Sequence, residues 1–243
     1  MKLERKRSFY EKNIKRILDI ICSFLTIVIF SWLYLFIAVV VRVKMGAPVL
    51  FKQVRPGLIK NGNEQLFYMY KFRTMTNERD ADGNLLPDEA RLPAFGRMLR
   101  TTSLDELPEV FNILRGDMSI IGPRPQLVRD MVFMDENIRM RHTAKPGLSG
   151  LAQVNGRNAI TWEQKFEWDL KYIENVSFRN DVKILWMTVR KVFGKKESSE
   201  EIDVTDDYGD AMLKAQKVSR EEYDAFQIIA MDMIKEHEEG RNI

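Results

Sequence analysis

The sequence contains a single cysteine, Cys22, and only two histidines, His142 and His237. One thiol excludes a disulfide framework and a cysteine metal cluster, and it is typical of a protein in a reducing compartment. We expect each histidine to be an ordinary surface or interface residue. These counts exclude the disulfide-rich secreted class and zinc sites built on cysteine.

Common nucleotide-binding and hydrolase motifs are also missing. The chain has no Gly-rich phosphate loop ending in Lys-Ser/Thr, no GxGxxG, no GxSxG and no HExxH. No nucleic-acid-binding motif is recognisable either, so we expect no nucleic-acid partner. Any reaction must therefore use acidic and basic side chains that do not belong to these motifs.

The chain carries little net charge, +3, but the charge is divided unevenly along it. Residues 1–196 carry a net +12 and residues 197–243 a net −9. The positive net charge of residues 1–196 is typical of a protein that binds nucleic acid, anionic lipid or a phosphorylated substrate.

An apolar run of 22 residues without formal charge extends over residues 20–41. It is long enough to cross a bilayer, which needs about 20 residues, and too long for a cleaved signal peptide. Its flanks, residues 1–16 and 42–60, are both basic, and such clusters favour the cytoplasmic side. We therefore predict a re-entrant helical hairpin bent near Ser31-Trp32 and Tyr34. The absence of proline and glycine from the run leaves a single transmembrane span as the alternative.

The remaining pattern predicts short strands and amphipathic helices. "APVLFKQ" and "QLFYMYKF" read as two short strands joined by "VRPGLIKNGNE", which contains the turn signal Asn61-Gly62. Residues 95–115 read as a helix interrupted near Thr101-Thr102-Ser103 and ended by Gly116. Residues 161–176 and 180–193 are amphipathic, and both a soluble core and a membrane interface remain open for them. Their apolar positions are Trp162, Phe166, Leu170 and Ile173 in the first helix, and Val182, Leu185, Trp186, Val189 and Phe193 in the second. In the acidic tail, Ser219 and Glu222 predict the cap of a final helix that we expect to be separable from the chemistry.

Asp105 and Glu106, in "SLDEL", are the main candidates for chemistry. Ser103 and Glu106 have the spacing of a capping box, and acidic residues are favoured in a first helical turn, so a purely structural role remains open. The two carboxylates could instead hold Mg²⁺, which takes oxygen ligands and shares substrate phosphates. Asp105, kept ionised at the helix start, could also act as a nucleophile and form an acyl phosphate.

Basic residues near this motif, and one in a stiff turn, are candidates for binding phosphate. They are Lys71, Arg73, Arg97, Arg100 and Arg124, the last held between Pro123 and Pro125. A solvated basic face or contact with lipid headgroups is the alternative for each of them.

Three segments resemble the bacterial monotopic phosphoglycosyl transferases, in a match that extends over residues 15–193. They are "KFRTM", "SLDELPEVFNILRGDMSIIGPRP" and "KPGLSGLAQVNGRNAITWEQKFEWDLKYIENVSF". The short chain resembles the small form of the family, and "NGRNAITWEQKFE" is similar to members that use UDP-diacetylbacillosamine to begin N-linked glycan synthesis. Where the family has Ser-Pro in the membrane hairpin, this sequence has Ser31-Trp32.

The resemblance implies an α+β fold with a membrane re-entrant hairpin, interface helices and a compact helix-rich catalytic domain with a small β-hairpin. The expected segments are a basic amphipathic N-terminus (1–16), the re-entrant helix (17–43), the catalytic domain (44–193) and an acidic linker with a helical tail (194–243). We expect the bacterial inner membrane, with the catalytic domain on the cytoplasmic face. The tail helix is expected either to form a homo-oligomer or to have no part in assembly.

The resemblance also implies a two-step reaction that needs Mg²⁺ at Asp105 and Glu106. Asp105 attacks the β-phosphate of a UDP-sugar, releasing UMP, and undecaprenyl phosphate then takes the phosphosugar. Arg100 and Arg124 match family residues that face phosphate. A membrane scaffold that binds nucleotide sugar or anionic lipid, and a transferase that moves the sugar alone and releases UDP, are the alternatives.

Overall fold

The computed structural model describes residues 5–156, 159–193 and 206–240. They form an α+β fold, as predicted. The strands are β1 (Leu50–Lys60), β2 (Asn63–Phe72), β3 (Ser119–Ile121) and β4 (Gly147–Ser149). The α-helices are α1 (Lys15–Ile29), α2 (Ser31–Met45), α3 (Asp88–Arg91), α4 (Ala94–Thr101), α5 (Glu109–Arg115), α6 (Val128–Met131), α7 (Glu136–Arg139), α8 (Leu151–Val154), α9 (Trp162–Glu174), α10 (Phe178–Phe193), α11 (Tyr208–Lys214) and α12 (Arg220–Glu239).

The chain divides into two compact units. The Asp105 unit consists of Leu18–Gln53 and Tyr68–Gly116. The Arg124 unit consists of the described parts of Met1–Ile17, Val54–Phe67 and Asp117–Ile243. Each unit is described by itself below.

The apolar run forms two helices joined by a bend. A π-helical turn at Tyr10–Ile14 leads into α1, and α2 begins at Ser31. No single helix in the described ranges is long and apolar enough to span a bilayer, whereas Tyr10–Ile29 and Ser31–Met45 satisfy that test together across a bend of 64°. The bend lies where the sequence predicts it, and the Ser31 hydroxyl donates to the Val28 carbonyl at 3.0 Å. Such side-chain bonds to a preceding carbonyl bend helices without proline.

Helix α2 packs one face into the core of the Asp105 unit. Ile37 and Val41 are buried there against Phe72 and Leu99. Most of the other apolar side chains of both helices remain exposed, including Phe24 at 58 %, Trp32 at 66 % and Leu35 at 67 %. An exposed apolar surface of this extent marks a surface for contact with a membrane or a partner.

Strands β1 and β2 form the predicted hairpin, and its turn is the predicted one. Asn61 and Gly62 both have positive φ, 53° and 85°, which is the requirement of a type I′ two-residue turn. The predicted connecting segment, residues 54–64, is wrong, because β1 begins at Leu50 and continues through Pro56 and Gly57 to Lys60.

The helical segment before Gly116 is interrupted as predicted. Helix α4 ends at Thr101, a single 3₁₀ turn follows at Leu104–Glu106, and α5 ends at Gly116 with φ of 95°. Within α4, a Cβ added at Gly96 would lie 1.9 Å from the carbonyl oxygen of Thr74. This close approach of α4 to the segment after β2 requires glycine.

The Arg124 unit is built around a short parallel sheet. Strand β3 pairs with β4, with Ser119 opposite Gly147 and Ile121 opposite Ser149. Its core includes the buried side chains Ile121, Ala144, Tyr172, Ile173, Val176 and Ile184. The Pro-Arg-Pro segment follows β3 directly.

The two amphipathic helices have different surroundings. Helix α9 buries Phe166 and Ile173 in the core. Helix α10 buries Asp181 and Ile184 and leaves the predicted apolar positions exposed, from 42 % at Val189 to 67 % at Trp186. The core interpretation therefore holds for α9 and not for that face of α10. The side chain of Phe193 lies outside the described residues.

The C-terminal helices pack onto α6 within the Arg124 unit. The predicted capping box is confirmed, because Ser219 and Glu222 exchange side-chain to backbone hydrogen bonds at the start of α12. The acidic linker, residues 194–205, lies outside the described residues.

Candidate active site

Asp105 lies in the 3₁₀ turn between α4 and α5, and the backbone before it is unusual. Ser103 adopts a left-handed conformation, φ 55° and ψ 20°, and makes no side-chain capping hydrogen bond. The predicted capping box of Ser103 and Glu106 is therefore wrong, because an N-cap residue normally has extended backbone angles. A non-glycine residue with positive φ is strained, and such strain is concentrated at functional sites.

The carboxyl of Asp105 is buried, with 9 % of the residue exposed. Burial raises the pKa of this carboxyl above its ordinary value. The positive charge of Lys71 lowers the pKa, the negative charge of Glu106 raises it, and Arg100 lowers it. The sequence predicts that the helix start keeps Asp105 ionised. The structure instead makes desolvation the largest influence, with two cations opposing it.

Lys71 is held by two glutamates beside this carboxyl. Its Nζ lies 2.8 Å from Oε1 of Glu106 and 3.3 Å from Oε1 of Glu109. Glu109 is 3 % exposed and is not among the residues predicted from the sequence. Its position three residues after Glu106 is a signal that could have identified it, because residues three apart share a helix face.

Asn112 fixes α5 against β2, the strand that carries Lys71. Its Oδ1 accepts from the Tyr70 backbone N–H at 3.1 Å, and its Nδ2 donates to the Tyr68 carbonyl at 2.7 Å. The residue is completely buried. A buried amide whose donor and acceptor both bind one strand sets the register of α5, and hence of Glu109, relative to Lys71.

Arg100 and Arg73 have different surroundings. The Nε of Arg100 donates to the Thr74 hydroxyl at 2.9 Å, and its charge acts on Asp105. The guanidinium of Arg73 is buried at the end of α2, where it donates to the carbonyls of Met45 and Ala47. These contacts give Arg73 a structural role at a helix C-terminus and do not support its predicted phosphate contact.

Lys71, Arg100, Asp105 and Glu106 are thus together in the Asp105 unit, and Arg97 is exposed on α4 of the same unit.

Arg124 belongs to the other unit, where its turn is held at every carbonyl. The Gly147 N–H donates to the Pro123 carbonyl at 2.9 Å. Arg141 donates to the Arg124 carbonyl at 2.6 Å, and Arg55 to the Pro125 carbonyl at 3.3 Å. The stiffness predicted from the two prolines is therefore reinforced by backbone and arginine donors.

His142 is expected from the sequence to be an ordinary surface or interface residue, and the surface alternative is wrong because the side chain is buried within the Arg124 unit. It is 5 % exposed, and its Nδ1 lies 3.1 Å from an oxygen of the buried Glu64. Burial lowers the pKa of His142 to about 4, although the hydrogen bond to Glu64 opposes the shift. The pKa of Glu64 is about 2, because hydrogen bonds with His142 and Arg139 outweigh the raising effect of burial.

The carboxylates at Asp105 have the donor chemistry of a magnesium site. Within the described residues, no group of three or more His, Cys, Asp or Glu side chains is arranged to hold a metal ion. Mg²⁺ does not need such a cage, because it commonly binds one or two carboxylates together with waters and substrate phosphates. Asp105, desolvated beside Glu106, fits that mode.

Comparison with known proteins identifies the family. Residues 10–195 match the model of the bacterial sugar transferase family. The chain belongs to this family.

The match covers most of the length of one relative and less than half of the length of others. The "uncharacterized sugar transferase EpsL" of Bacillus subtilis (strain 168) is 52 % identical over 179 residues, which are 74 % of this chain and 87 % of EpsL.

The "UDP-glucose:undecaprenyl-phosphate glucose-1-phosphate transferase" of Klebsiella pneumoniae is 38 % identical over 194 residues, 76 % of this chain and 41 % of the relative. The "UDP-N-acetylgalactosamine-undecaprenyl-phosphate N-acetylgalactosaminephosphotransferase" of Aeromonas hydrophila is 37 % identical over 190 residues, 74 % and 43 % of the two chains. This bacterial sugar transferase thus spans about two fifths of the length of the relatives named for a reaction.

Proposed function

We propose that this protein transfers a sugar-1-phosphate from a UDP-sugar to undecaprenyl phosphate through a covalent intermediate on Asp105. Membership of the bacterial sugar transferase family and the activities for which the relatives are named support the reaction class. The observation that carries the assignment of Asp105 is its position. It is a buried carboxyl on a strained turn, flanked by the cations Lys71 and Arg100.

In the first step, a carboxylate oxygen of Asp105 attacks the β-phosphorus of the UDP-sugar. The bond to the oxygen that bridges the two phosphates breaks, and UMP leaves with that oxygen and its electron pair. In the second step, a phosphate oxygen of undecaprenyl phosphate attacks the same phosphorus and releases the Asp105 carboxylate. One carboxylate can thus serve a water-soluble donor and a lipid acceptor in turn.

The basic residues and the metal have separate proposed roles in this sequence of events. The ammonium of Lys71 and the guanidinium of Arg100 oppose the rise in the pKa of Asp105 that burial causes, and they thereby favour the carboxylate form that attacks phosphorus. Arg124, in its stiff turn, is proposed to bind the donor phosphates in bidentate fashion. Mg²⁺ bound by Asp105 and Glu106 would supply charge neutralisation for the phosphates.

We further propose that α1 and α2 enter and leave the membrane by the cytoplasmic leaflet. The bend of 64°, the exposed apolar side chains and the two basic flanks support this arrangement. The exposed apolar face of α10, with Trp186 at its centre and Lys183 and Arg190 nearby, would lie in the membrane interface.

This topology is tested by labelling intact cells from outside, after replacing Cys22, with single cysteines at Arg5→Cys and Lys60→Cys. Neither position should react, and reaction at only one of them would establish a single span instead.

The donor is proposed to be N-acetylated, such as UDP-diacetylbacillosamine, from the likeness of residues 155–158. Arg157 and Asn158 lie outside the described residues. Relatives are named for glucose and for N-acetylgalactosamine, so a panel of UDP-sugars has to decide.

The decisive assay identifies the nucleotide released when purified protein is incubated with UDP-sugars, undecaprenyl phosphate and Mg²⁺. We expect UMP, and the phosphosugar should be found on Asp105 by mass spectrometry. Asp105→Asn keeps the size of the side chain and removes its charge, so UMP release should fall by at least about 10³-fold. Release of UDP, or near-normal turnover by Asp105→Asn, would end the proposal.

A further inference from the structure

The C-terminal helices lie beyond residue 195, where the family match ends, yet they pack closely on α6 and α9 within the Arg124 unit. Tyr208 of α11 contacts two rings of α9. Its ring centroid is 5.0 Å from that of Phe166, edge to face at 89°, and 5.6 Å from that of Trp162. Trp162 also donates from its indole Nε1 to the backbone carbonyl of Asp206 at 3.0 Å. The tail therefore fixes the first turn of α9.

Helices α11 and α12 also pack against α6 and the residues that follow it. The Gly209 backbone N–H donates to an oxygen of the buried Asp130 at 3.1 Å. A Cβ at Gly209 would lie 2.6 Å from the Phe133 ring, and Phe133 also contacts Phe226 of α12, with 5.0 Å between centroids. Aromatic pairs and a buried hydrogen bond thus hold α11 and α12 against these residues.

A positively charged side chain lies over each of the two α9 rings that Tyr208 contacts. The guanidinium of Arg141 lies 5.7 Å from the centre of the Phe166 ring, and the ammonium of Lys165 lies 4.3 Å from the centre of the Trp162 ring. These are cation–π distances.

Arg141 connects these rings to the Pro-Arg-Pro turn. It is 1 % exposed, forms a salt bridge with Asp169 of α9, and donates to the carbonyl of Arg124 at 2.6 Å. The positive charge of Arg124 also reaches Lys165, where it adds to burial in lowering the pKa of the lysine. A continuous series of contacts therefore extends from Tyr208 through Phe166 and Arg141 to Arg124.

We propose that Tyr208 is a positioning residue for donor binding, which holds Arg124 in place through Phe166 and Arg141. The proposal rests on the proposed function, in which Arg124 binds the donor phosphates. It assigns the C-terminal tail a part in substrate binding, instead of the separable role expected from the sequence. Because the aromatic ring makes the contacts, its hydroxyl is dispensable.

The test compares Tyr208→Ala and Tyr208→Phe in the full-length protein. The matched control is Asp224→Ala, which removes an exposed ion pair with Arg220 on the same tail. Two quantities are measured, the KM for UDP-N-acetylgalactosamine or UDP-glucose during UMP release, and the Kd for UMP by calorimetry. The second is independent of turnover.

We expect Tyr208→Ala to raise both constants by about three- to tenfold, from the loss of two aromatic pairs, while kcat changes by less than about twofold, because binding shared by ground and transition states appears in KM. Tyr208→Phe and Asp224→Ala should match the wild type. If Tyr208→Ala does not fold, Tyr208→Leu, which keeps the apolar volume without the ring, is measured in its place.

An unchanged KM and Kd in a folded Ala or Leu variant would overturn the inference, as would a Phe variant as impaired as Ala. Failure of the wild type to release UMP from any UDP-sugar would instead refute the proposed function. The UMP affinities would then still decide whether Tyr208 positions Arg124.

Discussion

Replacing Lys71 by methionine removes the cation shared by Glu106 and Glu109 while keeping the length of the side chain. The two Nζ–Oε1 distances are 2.8 and 3.3 Å, and the side chains of Lys71, Glu106 and Glu109 are 16 %, 12 % and 4 % exposed. At an effective dielectric constant of about 20, each attraction is roughly 5 to 6 kcal/mol before desolvation is subtracted. Removing one partner of a buried pair typically costs about 3 to 5 kcal/mol.

We therefore expect Lys71→Met to lower the Tm of the detergent-solubilised protein by roughly 6 to 20 °C. The double variant Lys71→Met/Glu109→Gln should recover about 1 to 2 kcal/mol, because one of the two unpaired carboxylates becomes neutral. Lys217→Met is a matched control. Its ammonium is also 2.8 Å from a glutamate, Glu163, but the two side chains are 55 % and 62 % exposed, so Lys217→Met should leave the Tm close to that of the wild type.

The same variant has a catalytic consequence. Lys71 opposes the raised pKa of Asp105, so its removal should raise that pKa further and move the acid limb of the pH profile of UMP release to higher pH. The reasoning would be refuted if Lys71→Met and Lys217→Met lowered the Tm equally. It would also be refuted if the stability lost in the double variant equalled the sum of the losses in Lys71→Met and Glu109→Gln.

Two further predictions concern residues for which the structure replaces the role predicted from the sequence. Arg73→Lys should lower the stability by about 2 kcal/mol, because the single ammonium of lysine cannot reproduce the guanidinium fork that donates to both the Met45 and the Ala47 carbonyl. The KM for the donor should stay at the wild-type value, and a selective rise in KM without a loss in Tm would restore the phosphate-binding role. The pKa of His142 in the folded protein, about 4, lies below its value in the unfolded chain, roughly 6.5. Between these two pH values the unfolded chain therefore binds more protons than the folded protein. The free energy of unfolding should fall by up to about 3 kcal/mol as the pH drops from 6.5 to 4. Thermal denaturation should show this slope flattened in His142→Gln, and an unchanged slope would contradict the assignment.

Local signals predicted local structure well where neighbouring residues alone decide it. Asn61-Gly62 gives the turn of the β1–β2 hairpin, because few other residues tolerate positive φ at both turn positions. Gly116 ends α5 for the same reason. Ser219 and Glu222 form the predicted capping box, in a helix start that remains exposed.

The same signal failed at Ser103 and Glu106 because the surroundings differ. There Glu106 is drawn to Lys71, 35 residues earlier in the chain, and Ser103 takes a left-handed conformation. A capping pattern contributes about 1 kcal/mol, less than a partly buried ion pair can contribute, so the tertiary contact prevails. Sequence spacing could not reveal that competition.

The amphipathic helices show the same limit. The apolar periodicity of α9 and α10 is alike, but α9 buries Phe166 in the core whereas α10 leaves Trp186 exposed. Periodicity shows that a helix has an apolar face and does not show what covers it.

The sequence by itself determined the hairpin turn, the helix ends, the apolar run with its basic flanks and, through its motifs, the acidic pair that we assign to catalysis. Only the tertiary structure decided that Asp105 is desolvated under the influence of Lys71 and Arg100, that Glu109 shares Lys71, that Arg73 binds the end of α2, and that α11 packs on α9. The reason is physical. Turns and helix ends depend on φ preferences within a few residues, whereas burial and ion pairing depend on residues brought together from distant parts of the chain.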